Sequence, residues 1–153
     1  MKDLLITKLE DTNETPWNLL LLADPSRESI ESYIGNSDIY LASVNDRTVG
    51  VYVLKNISQD IVELKNIAVD EKHQGQGIGK KLVLDSISKA RQKEAKRIEV
   101  GTGNSSLSQL ALYQKCGFRI SGVEKDFFVK NYKDEIKENG IVCRDMIRLA
   151  IDL

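Results

Sequence analysis

Cysteine and histidine are scarce in this sequence, which has 2 cysteines and 1 histidine among 153 residues. Cys116 and Cys143 form no CxxC pair and are too few for a secreted disulfide scaffold, so we expect both to be reduced thiols. The single His73 excludes most histidine-based metal sites and argues against a Ser-His-Asp triad. The sequence therefore predicts a protein without a metal, in a reducing, cytoplasmic setting.

Long apolar runs and an excess of charge of one sign are also absent. The longest apolar run, residues 19–23, is too short to span a bilayer, and the N-terminus lacks the apolar segment of a signal peptide. The 22 basic and 23 acidic residues give a formal net charge of −1, without the Lys and Arg excess that non-specific nucleic-acid binding requires. We therefore expect neither a membrane nor a nucleic acid as partner.

The composition is that of an ordinary globular protein, with 41% hydrophobic and 29% charged residues. No linker rich in Pro, Gly or Ser and no internal repeat divides the chain. The length suits one domain over residues 1–153.

Hydrophobic patterning predicts a strand, two short helices, three strands, a helix, a strand, a helix and two closing strands. The predicted strands are 4–9, 39–44, 49–57, 61–69, 97–101, 118–129 and 141–151, and the predicted helices are 17–23, 25–34, 77–95 and 106–116. This order indicates an α/β (α+β) fold, with a mixed sheet of about seven strands and helices on both faces.

Three glycines, Gly75, Gly77 and Gly79, lie where the strand 61–69 passes into the next helix. Glycine permits positive φ and close approach of the backbone to a ligand, and a helix N-terminus attracts phosphate through its free N–H groups and dipole. Lys80 and Lys81 oppose that dipole unless an anion is bound. The pattern therefore predicts an anion site.

Two common phosphate-binding motifs are excluded by spacing. Gly75 and Gly79 enclose three residues where a P-loop has four, and Lys80 is followed by Lys81 where a P-loop has Ser or Thr. The dinucleotide fingerprint requires a glycine where Lys80 stands.

Two segments instead resemble the GNAT superfamily of N-acetyltransferases. Asn-Ile-Ala-Val at 66–69, followed after four residues by Gln-Gly-Gln-Gly-Ile-Gly at 74–79, resembles its acyl-CoA signature, Arg/Gln-x-x-Gly-x-Gly/Ala. Ala-Leu-Tyr-Gln-Lys-Cys-Gly-Phe at 111–118 resembles its helix-tyrosine-glycine-phenylalanine segment. The resemblance implies a mostly antiparallel sheet and acetyl-CoA as co-substrate, with no metal. It also implies transfer of the acetyl group to the primary amine of a small molecule or peptide.

The resemblance further implies that pantetheine lies between the strands 61–69 and 97–101, and that main-chain amides around 76–80 hold the pyrophosphate. The residues that it assigns to cofactor binding are Ile67, Ala68, Val69, Gln74, Gly75, Gln76, Gly77, Ile78, Gly79, Lys80 and Asn104. Asn104 departs from the family pattern, because Tyr113 lies nine positions after it rather than seven. Ser106 occupies the regular position, and Asn104 is alternatively a helix cap or turn residue.

Tyr113 matches the family tyrosine that protonates the leaving sulfur; otherwise it is a core aromatic. Glu63 lies where some members have a catalytic base, and its alternative role is a surface pair with Lys65. Ordered water can also take the proton, and Glu99 is a weaker candidate.

The acceptor is the least defined part of the prediction. Aromatic residues that either line an acceptor pocket or pack in the core are Trp17, Tyr33, Phe127, Phe128 and Tyr132. Acidic residues that either attract a cationic amine or form a solvated loop are Asp126, Asp134, Glu135 and Glu138. A different acyl donor, a non-catalytic acyl-CoA sensor and a homodimer also stay open.

Overall fold

A seven-stranded mixed sheet runs through the computed structural model, which describes residues 3–153. The strands are β1 (Leu5–Lys8), β2 (Ser37–Val44), β3 (Arg47–Asn56), β4 (Ile61–Val69), β5 (Arg97–Gly103), β6 (Arg119–Glu124), β7 (Ile136–Glu138), β8 (Ile141–Cys143) and β9 (Met146–Asp152). The helices are α1 (Trp17–Ala23), α2 (Arg27–Ile34), α3 (Ile78–Gln92), α4 (Leu107–Lys115) and α5 (Phe127–Asn131). Short 3-10 turns lie at Thr12–Glu14 and Glu71–His73.

The strand order is β1-β2-β3-β4-β5-β9-β6, and every neighbouring pair is antiparallel except β4 and β5. β7 and β8 form a separate two-stranded hairpin. The predicted mixed, mostly antiparallel sheet of about seven strands is therefore confirmed.

The two faces of the sheet carry different helices and separate hydrophobic clusters. Successive side chains of β3 point to opposite faces, so Val51 and Val53 join the cluster beneath α1 and α2, whereas Tyr52 and Leu54 join the one beneath α3 and α4. The predicted apolar stripe of α3 is buried in the second cluster, and it consists of Ile78, Leu82, Val83, Ile87 and Ala90.

β4 and β5 separate part of the way along their length. They pair only between Ile61–Leu64 and Arg97–Val100, after which β4 stays paired with β3 up to Val69 and β5 with β9 up to Gly103. Because each strand follows its other neighbour, the sheet opens between them. A bulge leaves Lys65 as the extra residue opposite β3 at this point, and bulges bend a strand and increase its twist.

The C-terminal third differs from the sequence prediction. The predicted strand 118–129 ends at Glu124, because Asp126 takes a left-handed conformation and starts α5. The predicted strand 141–151 is two strands, β8 and β9. The positive φ angles of Asn139 and Gly140, which precede β8, turn it back onto β7. β8 ends at Cys143, and β9 starts at Met146 after a short break.

Several helix ends also differ. α2 starts at Arg27 rather than at Pro25, because the side chain of Ser26 caps it. α3 ends at Gln92, three residues short of the predicted end, and Glu94 beyond it has φ 63°. Gly117, with φ 105°, forms the predicted left-handed turn after α4.

Candidate active site

Two adjoining cavities follow the opening between β4 and β5. A cleft of about 280 Å³ lies between the α1–α2 connection, β4, β5, α4 and α5. A second cavity, of about 230 Å³, lies at the start of α3. The residues that line both are Ile67, Ala68, Val69, Gln74 and Gln109. Residues 67–69, which we call the outer part of β4, are therefore a wall common to both cavities.

The glycine-rich loop forms one end of this system. Gly75 and Gly77 have φ angles of 77° and 82°, and a Cβ built on either would meet no atom within 4 Å. The backbone conformation thus favours glycine there, while the space beside the loop is open. Gly79 is helical, and a Cβ on it would lie 3.6 Å from Leu112. The amide of Gln74 donates to the carbonyl of Val69 (3.0 Å) and holds the loop against the end of β4.

The N-terminus of α3 faces the second cavity. Gly77 is its N-cap residue and supplies no side-chain cap, so the N–H groups of the first turn have no capping acceptor. Ile78 and Gly79 line this cavity, whereas Gln76 and Lys80 are exposed and lie outside both cavity walls. The positive end of the helix is therefore presented to the cavity.

Tyr113 lies on α4 and lines the cleft. Its ring is 3% exposed and makes an edge contact with Phe118, with 5.7 Å between the ring centroids. Burial, and then the neighbouring Cys116, raise the pKa of the phenol above its usual value. The hydroxyl therefore keeps its proton at neutral pH and can act as a donor.

Glu63 lines the cleft and is held by two cations. Its carboxylate accepts from Nη1 of Arg148 (3.1 Å) and from Nζ of Lys65 (3.4 Å), and its residue is 8% exposed. Glu63 thus forms the pair with Lys65 that was its alternative role, but it does so as a buried residue on the cleft wall. Arg148 also contacts Glu99 (3.4 Å), which joins Arg97 (2.9 Å).

Arg148 was not identified from the sequence. Burial works to lower the pKa of its guanidinium, but the hydrogen bond and charge of Glu63 outweigh this and raise it, so the group stays charged. Its position on β9 depends on a strand register across β5 that no local pattern reveals.

Asn104 is used to hold a loop. Its Oδ1 accepts from the backbone N–H groups of Arg144 (2.8 Å) and Asp145 (2.9 Å), and its Nδ2 donates to the carbonyl of Val142 (3.1 Å). These bonds occupy the break between β8 and β9, and Asn104 lies outside both cavity walls. Ser106 does line the cleft, and its hydroxyl donates to Glu138 (2.9 Å).

The other end of the cleft combines aromatic and acidic groups. Of the residues predicted for an acceptor pocket, those that line it are Tyr33, Phe127, Phe128, Tyr132 and Glu138. Trp17 instead packs against the cluster beneath α1 and α2, with Arg27 stacked over its ring at 4.0 Å. Asp126, Asp134 and Glu135 are exposed and lie outside the cleft walls.

Further polar residues line the cleft that the sequence did not identify as site residues, and they include Asp24, Ser29, Asn66 and Gln109. Oδ1 of Asn66 and Oε1 of Gln109 are buried without a hydrogen-bond partner in residues 3–153. Unpartnered buried oxygens are costly, so both oxygens are free to accept from a ligand.

The charges on the cleft wall favour a cation. Three carboxylates and one ammonium group line the cleft, and these four side chains are Asp24, Glu63, Glu138 and Lys65. Within residues 3–153 no cluster of three or more His, Cys, Asp or Glu is placed to hold a metal ion. No helix in the same range has both the length and the apolar character to cross a membrane.

Comparison with known proteins gives consistent matches over most of the chain. The profile of the acetyltransferase (GNAT) family matches residues 5–118. An uncharacterized N-acetyltransferase of Bacillus subtilis (strain 168), YvbK, is 51% identical over 153 residues, which is 100% of this chain and 99% of the relative.

Two solved structures share the fold closely. A GNAT family acetyltransferase from Elizabethkingia anophelis, with acetyl-CoA bound, has a TM-score of 0.96 and 49% identity over 98% of each chain. An IAA acetyltransferase from Bacillus cereus ATCC 14579 has a TM-score of 0.95 and 50% identity, over 99% of this chain and 100% of that one.

Proposed function

This chain belongs to the GNAT family of acetyltransferases, and on that premise we propose that it transfers an acetyl group from acetyl-CoA to a primary amine. One observation carries the proposal. The cavity at the start of α3 and the cleft that contains Tyr113 share the outer part of β4 as a wall, so an extended ligand can reach from the helix N-terminus to the tyrosine.

The residues present fit acetyl-CoA, which supplies an activated acetyl thioester. The open space beside Gly75 and Gly77 and the uncapped N–H groups of α3 suit its pyrophosphate. The backbone of Ile67, Ala68 and Val69 offers a strand edge to its pantetheine amides, because β5 has turned away from β4 there. Oε1 of Gln109 adds an unpartnered acceptor for an amide N–H.

In the reaction the nitrogen loses two protons, one before it attacks and one to solvent after it has bonded to the acetyl carbon, and the sulfur gains one. An alkylammonium with a pKa of about 10.4 must lose its proton before nitrogen can form a bond to the acetyl carbon. As the carbon–sulfur bond breaks, the sulfur needs a proton, and Tyr113 donates it from within the cleft. The phenol then regains a proton from solvent, and the products are an acetylated amine and free CoA thiol.

Glu63, directly or through an ordered water, takes the proton of the amine. Its place on the cleft wall, held there by Arg148 and Lys65, supports this role. The excess of carboxylates over ammonium groups on the same wall supports a cationic acceptor.

A thiol-release assay tests the function. Purified protein with acetyl-CoA is offered a panel of primary amines, and IAA is included because the Bacillus cereus relative is named for it. We expect CoA thiol to appear with at least one amine. Binding of acetyl-CoA without thiol release on any acceptor would instead indicate an acyl-CoA sensor. Parallel reactions with succinyl-CoA and propionyl-CoA identify the acyl donor.

A further inference from the structure

Asp24 is a carboxylate on the cleft wall, and its hydrogen-bond partners are all neutral. Its Oδ1 accepts from the hydroxyl of Tyr132 (2.8 Å) and the N–H of Ser26 (3.2 Å). Its Oδ2 accepts from the hydroxyls of Ser29 (2.7 Å) and Tyr33 (3.4 Å). None of the ion pairs formed among the described residues includes Asp24. No ion pair of the described residues therefore includes its charge, and the cation beside these groups is Lys65, whose Nζ lies 5.3 Å from the centroid of the Tyr33 ring.

These hydrogen bonds fix the direction of three hydroxyl protons. Ser29, Tyr33 and Tyr132 all line the cleft, and each directs its proton toward Asp24. A hydroxyl has one proton and two lone pairs, so a hydroxyl that donates to Asp24 has only lone pairs for other partners. Burial raises the pKa of Tyr132 to about 12, and Asp24 adds to this, so the phenol keeps its proton at neutral pH. We call Asp24, Ser29, Tyr33 and Tyr132 the Asp24 ring.

Asn66 adds a further acceptor beside the ring. Its Nδ2 donates to the hydroxyl of Tyr33 (3.0 Å) and to the carbonyl of Leu20 (3.1 Å). Its Oδ1 has no partner, and the residue is 5% exposed and lines the cleft. The ring thus presents oxygen acceptors around a carboxylate whose hydrogen-bond partners are all neutral, which is the environment that stabilises an ammonium group.

The nitrogen that reacts cannot be the one that this site holds. The attacking nitrogen must be uncharged, and a site that stabilises its ammonium form would oppose the loss of its proton. The Asp24 ring also lies on the other side of the sheet from Tyr113, the proposed acid. Tyr33 packs beneath α1 and α2, whereas Tyr113 packs beneath α3 and α4.

We propose that the Asp24 ring binds a second positively charged group of the acceptor, so that the preferred substrates are small diamines rather than monoamines. The second charge belongs to the amine acceptor, so this inference rests on the proposed function. A cleft of about 280 Å³ suits a small molecule.

Calorimetry and kinetics with matched amines test the proposal. Straight-chain diaminoalkanes are compared with monoaminoalkanes of the same carbon number, first by titration into CoA-saturated protein and then by kcat/KM. We expect wild-type protein to prefer the diamine at least about tenfold, since hydrogen bonds to charged groups are the strong ones. Asp24→Asn should bring the ratio of diamine to monoamine kcat/KM toward one. Asp46→Asn, which makes the same charge change in the β2–β3 turn, should leave the ratio unchanged.

Tyr132→Phe serves as a second variant if Asp24→Asn folds poorly, and it should lower the ratio in the same direction. Equal affinity of wild-type protein for both amines, no amine binding at all, or a full diamine preference in these variants would overturn the proposal. Diamine-selective binding without thiol release would instead refute the acetyl transfer and leave the ring as a diamine site.

Discussion

Glu63 on β4 and Arg148 on β9 form an ion pair across β5, with 3.1 Å between Oε2 and Nη1. β5 lies between them and pairs with both β4 and β9. Glu99 on β5 accepts a hydrogen bond from Nη2 of Arg148. β4 and β5 part directly beyond this point, after Leu64 and Val100. The ion pair thus joins the two halves of the sheet where the cleft begins, and it holds Glu63 on the cleft wall.

Replacing Glu63 by Gln should lower kcat by at least about tenfold, because Gln keeps the shape but cannot accept a proton. Glu99→Gln is the matched control, since it removes the other carboxylate bound to Arg148 without touching the cleft wall. Steady-state kinetics over a range of pH measures both. An unchanged rate and pH profile in Glu63→Gln would show that the amine loses its proton without this carboxylate.

Tyr113→Phe should lower kcat by about 10²–10⁴-fold, the usual contribution of a general acid. The affinity for acetyl-CoA should hardly change, because the ring and its contact with Phe118 remain. Tyr40→Phe provides a control, as Tyr40 is equally buried but stacks on Tyr52 away from the cleft. Full activity in Tyr113→Phe would remove the tyrosine from the mechanism.

Gly77→Asp should weaken CoA binding by at least about tenfold, because it places a carboxylate beside the proposed diphosphate. Gly77→Asn is the control: Asn has the same shape and tolerates the left-handed conformation at φ 82°, but it carries no charge. Calorimetric titration with CoA compares the two. Equal affinity in both variants would place the diphosphate elsewhere.

Stability should fall as the pH rises above about 10. Burial raises the pKa of all five tyrosines, which are Tyr33, Tyr40, Tyr52, Tyr113 and Tyr132. Above pH 10 the unfolded chain loses phenolic protons that the folded chain retains, so each buried tyrosine lowers the free energy of unfolding by about 1.4 kcal/mol per pH unit. The loss continues through the folded-state pKa, which is about 12 for Tyr132.

Urea denaturation between pH 8 and about pH 11 measures this dependence. Tyr52→Phe should reduce the slope of the free energy of unfolding against pH above pH 10, since one phenolic proton fewer is released on unfolding. A free energy of unfolding that stays constant up to pH 11 would contradict the prediction.

The sequence predicted most of the sheet and the backbone conformation of the glycine-rich loop. β4 has the predicted bounds, the strands β2 and β3 lie within a few residues of theirs, and the stripe of α3 is buried as expected. These features depend on short-range patterns, because apolar alternation marks a buried strand and glycine marks the positive φ at Gly75 and Gly77. Residues 127–129 were predicted as strand but belong to α5, since their apolar side chains look like strand residues in isolation. The predicted strand 141–151 contains both β8 and β9, but the break between them was missed.

The acceptor end could not be predicted by the same means. Asp24 and Tyr132 are 108 residues apart in the chain, and their contact exists only because α5 packs against the α1–α2 connection. Asn104 shows the same limit, because its amide is satisfied by a loop about 40 residues later.

The sequence alone determined the family resemblance, the strand–loop–helix unit that we propose for the diphosphate and the position of the tyrosine that we propose as the acid, since each is written within a few consecutive residues. Tertiary structure decided which cations hold Glu63, where Asn104 is used and which hydroxyls surround Asp24. Those contacts follow from strand register and helix packing between distant segments. A local pattern constrains the backbone of its own segment but not the partner that its side chains meet.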